Sequence, residues 1–162
     1  MKKILYLFLA LLLPGLIFVF LKYAGKNEFV VPVYHDKGVI DPPSDCNISY
    51  PSPYIIPDSV RSLLNSDQEL NAIIFTDGKL DVAKIKTALK DELGDNAINV
   101  INAIEITGQS SGILRECIFL LNDPFQSVLV SKEGIIRGYY DLSDRDEMDR
   151  LRVELKILLK KY

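Results

Sequence analysis

The stretch from Val128 to Ser143 constrains the fold more than any other part of this chain. Val128 to Val130 is apolar and rich in β-branched residues, and a second run of similar character extends from Ile135 to Tyr140. Ser131 to Gly134 between them is polar and ends in a glycine, which can adopt a positive φ. The stretch therefore predicts a β-hairpin.

A helix is predicted directly after the hairpin. Ser143 offers a hydroxyl group for the N-cap, with Asp146 three residues later, which is a variant of the capping box. Apolar residues then recur at helical spacing along one face: Met148, Leu151, Leu155 and Leu158. We expect this closing helix to pack on the sheet that contains the hairpin.

An earlier part of the chain predicts a strand, a helix and a second strand. Ala72 to Thr76 and Ile98 to Ile106 are apolar runs typical of buried strands. Leu80 to Leu93 lies between them, with Asp81 near its start and Gly94 just past its end. Its apolar stripe comprises Val82, Ile85, Leu89 and Leu93. Because a helix joins the two strands, we expect them to be parallel.

The region before these elements is predicted to be mostly irregular. Phe29 to Tyr34 looks extended, and Pro32 indicates an edge strand. His35 to Pro57 contains five prolines with several Ser, Asn and Asp residues, which excludes a long helix. A short helix capped by Asp58 or Ser59 is expected to follow.

The order of elements predicts an α/β fold with a mixed sheet and helices on both faces. The order is β-α-β in the first half and β-β-α in the second, which is the thioredoxin-like arrangement. One segment stays open: Glu116 to Leu121 is either a strand or the end of a helix that begins at Ser110 or Ser111.

The N-terminus carries an apolar run from Ile4 to Leu21 that contains no charged residue and approaches the roughly 20 residues of a membrane span. A cleavable signal sequence and an uncleaved anchor both begin in this way. Bulky residues from Phe18 to Tyr23, with Ala24 and Gly25 only beyond Lys22, favour an anchor.

The predicted organisation is therefore a membrane anchor over residues 1–22, a tether over 23–28 and a thioredoxin-like domain over 29–162. Lys2 and Lys3 favour a cytoplasmic N-terminus, which places the domain outside the cytoplasm, on the periplasmic side.

The net charge of the domain argues against nucleic acid as a partner. Residues 1–22 include three of the 19 basic residues and none of the 22 acidic ones, so the remainder carries a net charge of −6. Such a surface repels phosphate backbones. The chain has one histidine and two cysteines, which excludes the usual structural zinc sites and a histidine-rich copper cage.

The two cysteines leave two interpretations open. Cys46 and Cys117 can form a disulfide outside the cytoplasm, where oxidation is allowed. Alternatively Cys117 is a small buried apolar residue and Cys46 a thiol in a loop, which the apolar neighbours of Cys117 favour.

Three other positions are candidates for chemistry, and each also has a structural interpretation. His35 is a metal ligand or, as we expect, an exposed loop histidine. Asp77 and Gly78 form a phosphate-binding turn or, as the nearly cancelling charges favour, a capped turn. Tyr139 and Tyr140 form a contact surface with Arg137, or a scaffold in which Tyr140 fills the core, Tyr139 is exposed and Gly138 admits a neighbouring element.

Two stretches resemble the SCO/SenC family. They are Ile73 to Thr76 before a helix, and Val130 to Asp141 before the final helix. Members of that family are membrane-anchored, thioredoxin-fold proteins that deliver copper to cytochrome c oxidase or reduce its copper site. The resemblance spans about residues 29 to 162 and implies the same fold and location for this chain.

The resemblance does not extend to the family's reactive residues. In the family, a Cys-x-x-x-Cys-Pro turn follows the Phe-Thr pair and a histidine precedes the hairpin. Gly78 and Val82 occupy the cysteine positions here, and Asp123 lies at about the histidine position. None of the three can exchange a disulfide, and an aspartate is a poor ligand for a soft metal. No catalytic, cofactor or metal site is therefore predicted.

The sequence favours a non-catalytic, SCO-like protein that acts by protein-protein contact in the assembly of a respiratory oxidase or another envelope complex. The alternative is a thiol-disulfide or copper-handling protein that uses Cys46 and Cys117 in a rearranged site.

Overall fold

The computed structural model describes residues 2–24, 30–64, 67–76, 78, 80–107 and 112–160. They belong to two units, Met1–Val30 and Val31–Tyr162. The first contains helix α1 (Lys2–Ala24), which includes Pro14. Among the described residues, none of the helices combines the length and the apolarity that crossing a bilayer requires. Most of the predicted tether lies outside the described residues.

The second unit is an α/β domain around a four-stranded mixed sheet with strand order β2-β1-β3-β4. Strands β1 (Leu70–Ile74) and β2 (Asn99–Asn102) are parallel. Strand β3 (Ser127–Ser131) is antiparallel to β1, and β4 (Ile136–Tyr140) is antiparallel to β3. The predicted α/β class, parallel pair and hairpin are confirmed. β2 is shorter than predicted, because helix α4 (Ala103–Thr107) replaces its second half.

Two amphipathic helices cover one face of the sheet. Helix α3 (Val82–Leu93) buries Leu89 and Leu93, and α5 (Arg145–Leu158) buries Leu151 and Leu155. These side chains share an apolar cluster with Ile74, Leu129 and Tyr140, among others. The sequence predicted both apolar stripes, because each follows the helical repeat along the whole element.

The opposite face is covered by short helices and by the irregular segment before them. Helix α2 (Asp58–Leu64), α4 and a π-helix (Ile113–Ile118) surround a second apolar cluster. The cluster contains Ile73, Val128, Phe119, Tyr54 and Tyr139, among others. In the open segment from Glu116 to Leu121, the π-helix ends at Ile118 and the following residues are irregular, so no strand forms there.

Three predictions about the hairpin and its helix are wrong. The N-cap of α5 is Asp144, whose carboxylate accepts the amide of Asp146 at 2.9 Å, and not Ser143. Tyr139 and Tyr140 are both buried, because each side of the sheet is covered by its own cluster. At Gly138 a Cβ atom would collide with the Tyr140 ring, so the close neighbour is this ring and not another element.

The predicted edge strand before His35 is also absent: residues 30–33 are irregular. The segment nevertheless bonds to β4. The amide of Tyr34 donates to the carbonyl oxygen of Ile136 at 3.0 Å, and the Arg137 guanidinium donates to the carbonyl oxygen of Val31 at 3.0 Å. Pro32 has no amide proton, so it cannot donate a hydrogen bond to a neighbouring strand, and the regular backbone hydrogen bonds of a strand pair do not form here.

Candidate functional site

The turn between β1 and α3 contains the candidate positions Asp77 and Gly78, and local hydrogen bonds fix its shape. The hydroxyl oxygen of Thr76 accepts the amides of Gly78 and Leu80 at 3.1 and 3.2 Å. The Asp81 carboxylate then caps α3 by accepting the amide of Lys84 at 3.0 Å. Asp77 and Lys79 lie outside the described residues. This geometry is that of a capped turn, as the charges favoured.

The turn lies beside the segment that enters β3. The amide of Phe75 donates to the carbonyl oxygen of Gln126 at 2.8 Å, which joins the end of β1 to that segment. Asp123, three residues before Gln126, forms an ion pair with Arg115 at 2.7 Å. Arg115 also donates to the carbonyl oxygen of Phe125 at 3.2 Å. The Asp123–Pro124 peptide bond is cis.

The three positions that the resemblance aligns with reactive residues carry neither sulfur nor imidazole. Gly78 is exposed with φ +94°, and Val82 is half-buried against the apolar cluster under helices α3 and α5. The Asp123 side chain is 89% exposed and forms an ion pair with Arg115. Within the described residues, no group of three or more His, Cys, Asp or Glu side chains is placed to hold a metal ion. Two clefts of about 380 and 490 Å³ lie elsewhere and include no residue of the β1–α3 turn.

Cys46 and Cys117 form a disulfide, with their Cα atoms 5.6 Å apart. The interpretation that they are separate thiols is therefore wrong. Cys117 is 6% exposed and Cys46 half-buried. Sequence separation hid the pairing, because the two cysteines are 71 positions apart and strands β1 and β2 with helices α2 to α4 lie between them.

Three tyrosines bind three consecutive carbonyl groups at the end of the π-helix. Tyr50 donates to the oxygen of Cys117 at 3.1 Å, and Tyr54 donates to that of Ile118 at 2.7 Å. Tyr139 donates to that of Phe119 at 3.0 Å. The last carbonyl groups of a helix have no amide donor within the helix, so the three hydroxyl groups supply these missing hydrogen-bond donors. We call this arrangement the tyrosine cap.

His35 extends the tyrosine cap and is not the exposed loop residue that the sequence favoured. Its Nε2 atom lies 3.0 Å from the Tyr139 hydroxyl oxygen, and its ring meets those of Tyr54 and Tyr139 edge-on. The Tyr139 hydroxyl group donates its only proton to the carbonyl oxygen of Phe119, so it acts as the acceptor toward His35. The Nε2 atom of His35 is therefore the donor and carries a proton. Burial lowers the pKa of His35, which favours the neutral ring.

The electrostatics of the tyrosine cap suit a scaffold. Burial, followed by the neighbouring Tyr50, raises the pKa of Tyr54 to about 12. Burial also raises the pKa of Tyr139, with smaller contributions from Tyr54 and Tyr34. The hydroxyl groups are therefore neutral donors at physiological pH and not nucleophiles or bases.

Sequence reasoning missed the tyrosine cap entirely. The only signal was composition, because Tyr50 and Tyr54 lie in a proline-rich segment with no helical or strand period. Such a segment has to be held by side chains, since it lacks a backbone ladder.

Compared with protein-family models, with curated proteins and with solved structures, the chain matches none. Its function therefore has to be inferred from the fold, the β1–α3 turn and the contacts around the disulfide.

Proposed function

We propose that this chain is a membrane-anchored, thioredoxin-like, SCO-like protein without catalytic activity that acts by protein-protein contact outside the cytoplasm. It would serve in the assembly of a respiratory oxidase or another envelope complex. The observation that carries the proposal is the β1–α3 turn. Its described residues offer a glycine, a half-buried valine and capping groups where redox or copper chemistry would need sulfur or imidazole.

The topology supports the thioredoxin-like assignment. Strands β1 and β2 are parallel and joined by α3, and an antiparallel hairpin followed by α5 completes the sheet. The β1–α3 turn follows β1, which is the inner strand of the parallel pair, whereas β2 lies at the edge of the sheet. In open α/β sheets, ligands bind beyond the carboxyl ends of such strands, and we place the protein contact at the same end.

The anchor is proposed from the sequence of α1. The run from Ile4 to Leu21 is uncharged, and α1 has 23 residues. The proposal rests on this uncharged run, which approaches the roughly 20 residues of a membrane span. Phe18 and Phe20 are 70% and 68% exposed.

The disulfide supports a location outside the cytoplasm. Disulfides persist in oxidising compartments and are rare where glutathione and thioredoxin keep thiols reduced. The same bond gives little support to the alternative thiol-disulfide or copper function. Cys117 is 6% exposed, so its sulfur is poorly placed to meet a substrate or a metal ion.

The absence of catalysis is tested with the purified full chain and its Cys46→Ser/Cys117→Ser variant. We expect that neither binds copper(I) measurably or reduces a disulfide substrate. Copper affinity or reductase activity that the parent shows and the variant lacks would establish the alternative.

The contact surface is tested by placing a photo-crosslinking residue at Asn122 in the membrane-bound chain. Asn122 is exposed in the segment before β3, four residues from the Gln126 that bonds to the end of β1. The matched control carries it at Val153, an exposed position on α5. We expect a discrete adduct with one protein from position 122 and none from 153. Equal adducts from both positions, or none from 122, would remove the turn as the contact surface.

A further inference from the structure

We propose that the Cys46–Cys117 disulfide is a redox-sensitive crosslink that controls a local opening of the domain. Its reduction opens the segment of residues 39–53, which we call the strap, while the sheet and its helices stay folded. The inference adds a redox response to the domain and does not depend on the proposed partner or anchor.

The strap is a loop with a closed neck. The carbonyl oxygen of His35 accepts the amide of Gly38 at 3.1 Å and the amide of Tyr54 at 3.0 Å. The two ends of the strap therefore meet at one atom. A compact loop whose ends lie together in this way is an Ω-loop, a kind of segment that folds and opens as a unit.

The neck is secured independently of the disulfide. Tyr54 is 2% exposed and bonds to Ile118, and the amide of Ile56 donates to the carbonyl oxygen of Gly134 at 3.0 Å. On the other side of the neck, the amide of Tyr34 bonds to Ile136 of β4. These contacts remain when the disulfide is cut.

The body of the strap depends on the disulfide. Among the described residues, its bonded links to the rest of the domain are the disulfide and the hydroxyl group of Tyr50 on Cys117. Both end on the same residue of the π-helix. Val39, Ile48 and Tyr50 pack against the core only partly buried, and Ile40 is 87% exposed. One partly exposed hydrogen bond and these partly buried contacts, with the Tyr50 ring on that of Tyr54, do not offset the entropy of ordering 15 residues.

The two sulfur atoms differ in access, which sets the route of reduction. Cys46 is half-buried in the loop, whereas Cys117 is buried in the π-helix. A thiolate of a dithiol reductant attacks Sγ of Cys46, and Cys117 leaves as a thiolate and takes up a proton. The second thiolate of the reductant then closes its own disulfide and releases Cys46 as a thiolate, which is also protonated. Two electrons pass from the dithiol to the protein.

The proposal is tested with a protease that cleaves before aspartate, applied to the full chain in detergent micelles with and without a dithiol. Asp41 and Asp45 are exposed in the strap, and Asp91 and Asp149 are exposed on α3 and α5 as internal controls. We expect reduction to accelerate cleavage before Asp41 and Asp45 by about tenfold or more, because cleavage follows the population of the open form. Cleavage at Asp91 and Asp149 should not change.

Two results would overturn the proposal. Equal acceleration at all four aspartates would mean that the disulfide holds the whole domain and not the strap. Unchanged cleavage at Asp41 and Asp45 would mean that other contacts hold the strap. The Cys46→Ser/Cys117→Ser variant gives a second measurement. Without any dithiol, its strap should be cleaved as fast as the strap of the parent protein after reduction.

Discussion

Replacing Tyr54 by Phe tests the role of the tyrosine cap in stability. The substitution keeps the ring in the core and removes only the hydroxyl group that donates to Ile118 at 2.7 Å. Tyr54 is 2% exposed, so water does not replace the lost donor. A buried carbonyl without a partner costs about 1–3 kcal/mol, and we expect a loss of about 2 kcal/mol in the free energy of unfolding.

Tyr50→Phe is the matched control, because it removes the same group from the neighbouring carbonyl. Tyr50 is only half-buried and its bond to Cys117 is longer, at 3.1 Å. Water can reach the freed carbonyl, so we expect a loss of at most about 0.5–1 kcal/mol. Burial and the neighbouring Tyr50 keep the Tyr54 hydroxyl protonated at neutral pH, since they raise its pKa to about 12.

The assay is urea denaturation of the oxidised protein at neutral pH, followed by circular dichroism. With a slope of about 1–3 kcal/mol per molar urea, a loss of about 2 kcal/mol moves the midpoint by roughly 1 M at an unchanged slope. The reasoning fails if the two variants lose equal stability, or if Tyr50→Phe loses more, because the difference rests on burial alone.

Two further predictions concern single positions in the domain. Gly138→Ala should reduce the free energy of unfolding by about 1–3 kcal/mol, because its Cβ atom overlaps the Tyr140 ring. Gly112→Ala, where a Cβ atom meets nothing within 4 Å, should change stability by less than about 0.5 kcal/mol in the same denaturation assay. The unfolding free energy should also fall as the pH drops below about 6.5, because the unfolded state protonates His35 before the folded state, whose His35 pKa burial lowers. His35→Gln should remove this part of the pH dependence, and an unchanged slope between pH 5 and 7 would contradict it.

Elements with a strong repeat were predictable from the sequence. The hairpin follows from β-branched residues around a polar turn, and the stripes of α3 and α5 follow from helical spacing. Boundaries were less predictable where local and long-range effects compete. Ala103 to Ile106 has strand-like composition, yet the chain turns into α4 there. Asp144 and Ser143 are both good caps, and only the geometry of the chain decides between them.

The contacts of the irregular region were not predictable, because they join parts of the chain with no common pattern. Tyr50 and Tyr54 are far in sequence from the carbonyl groups that they bind, and so is Cys46 from Cys117. The burial of Tyr139 as well as Tyr140 depends on a second layer, to which that region contributes together with the short helices. The β1–α3 turn, by contrast, was described correctly as a capped turn, because its hydrogen bonds are local.

The short segment from Val31 to Tyr34 has a consequence for how copies of this domain meet. An open edge strand presents unpaired amide and carbonyl groups to any extended chain nearby, which is a common route to aggregation. Here Tyr34 occupies the carbonyl group of Ile136, and Val31 holds the Arg137 side chain against the same strand. Pro32, between them, has no amide to offer to a further strand. The segment therefore occupies the Ile136 end of β4 without extending the sheet, which leaves a second copy of the domain less of that edge to pair with.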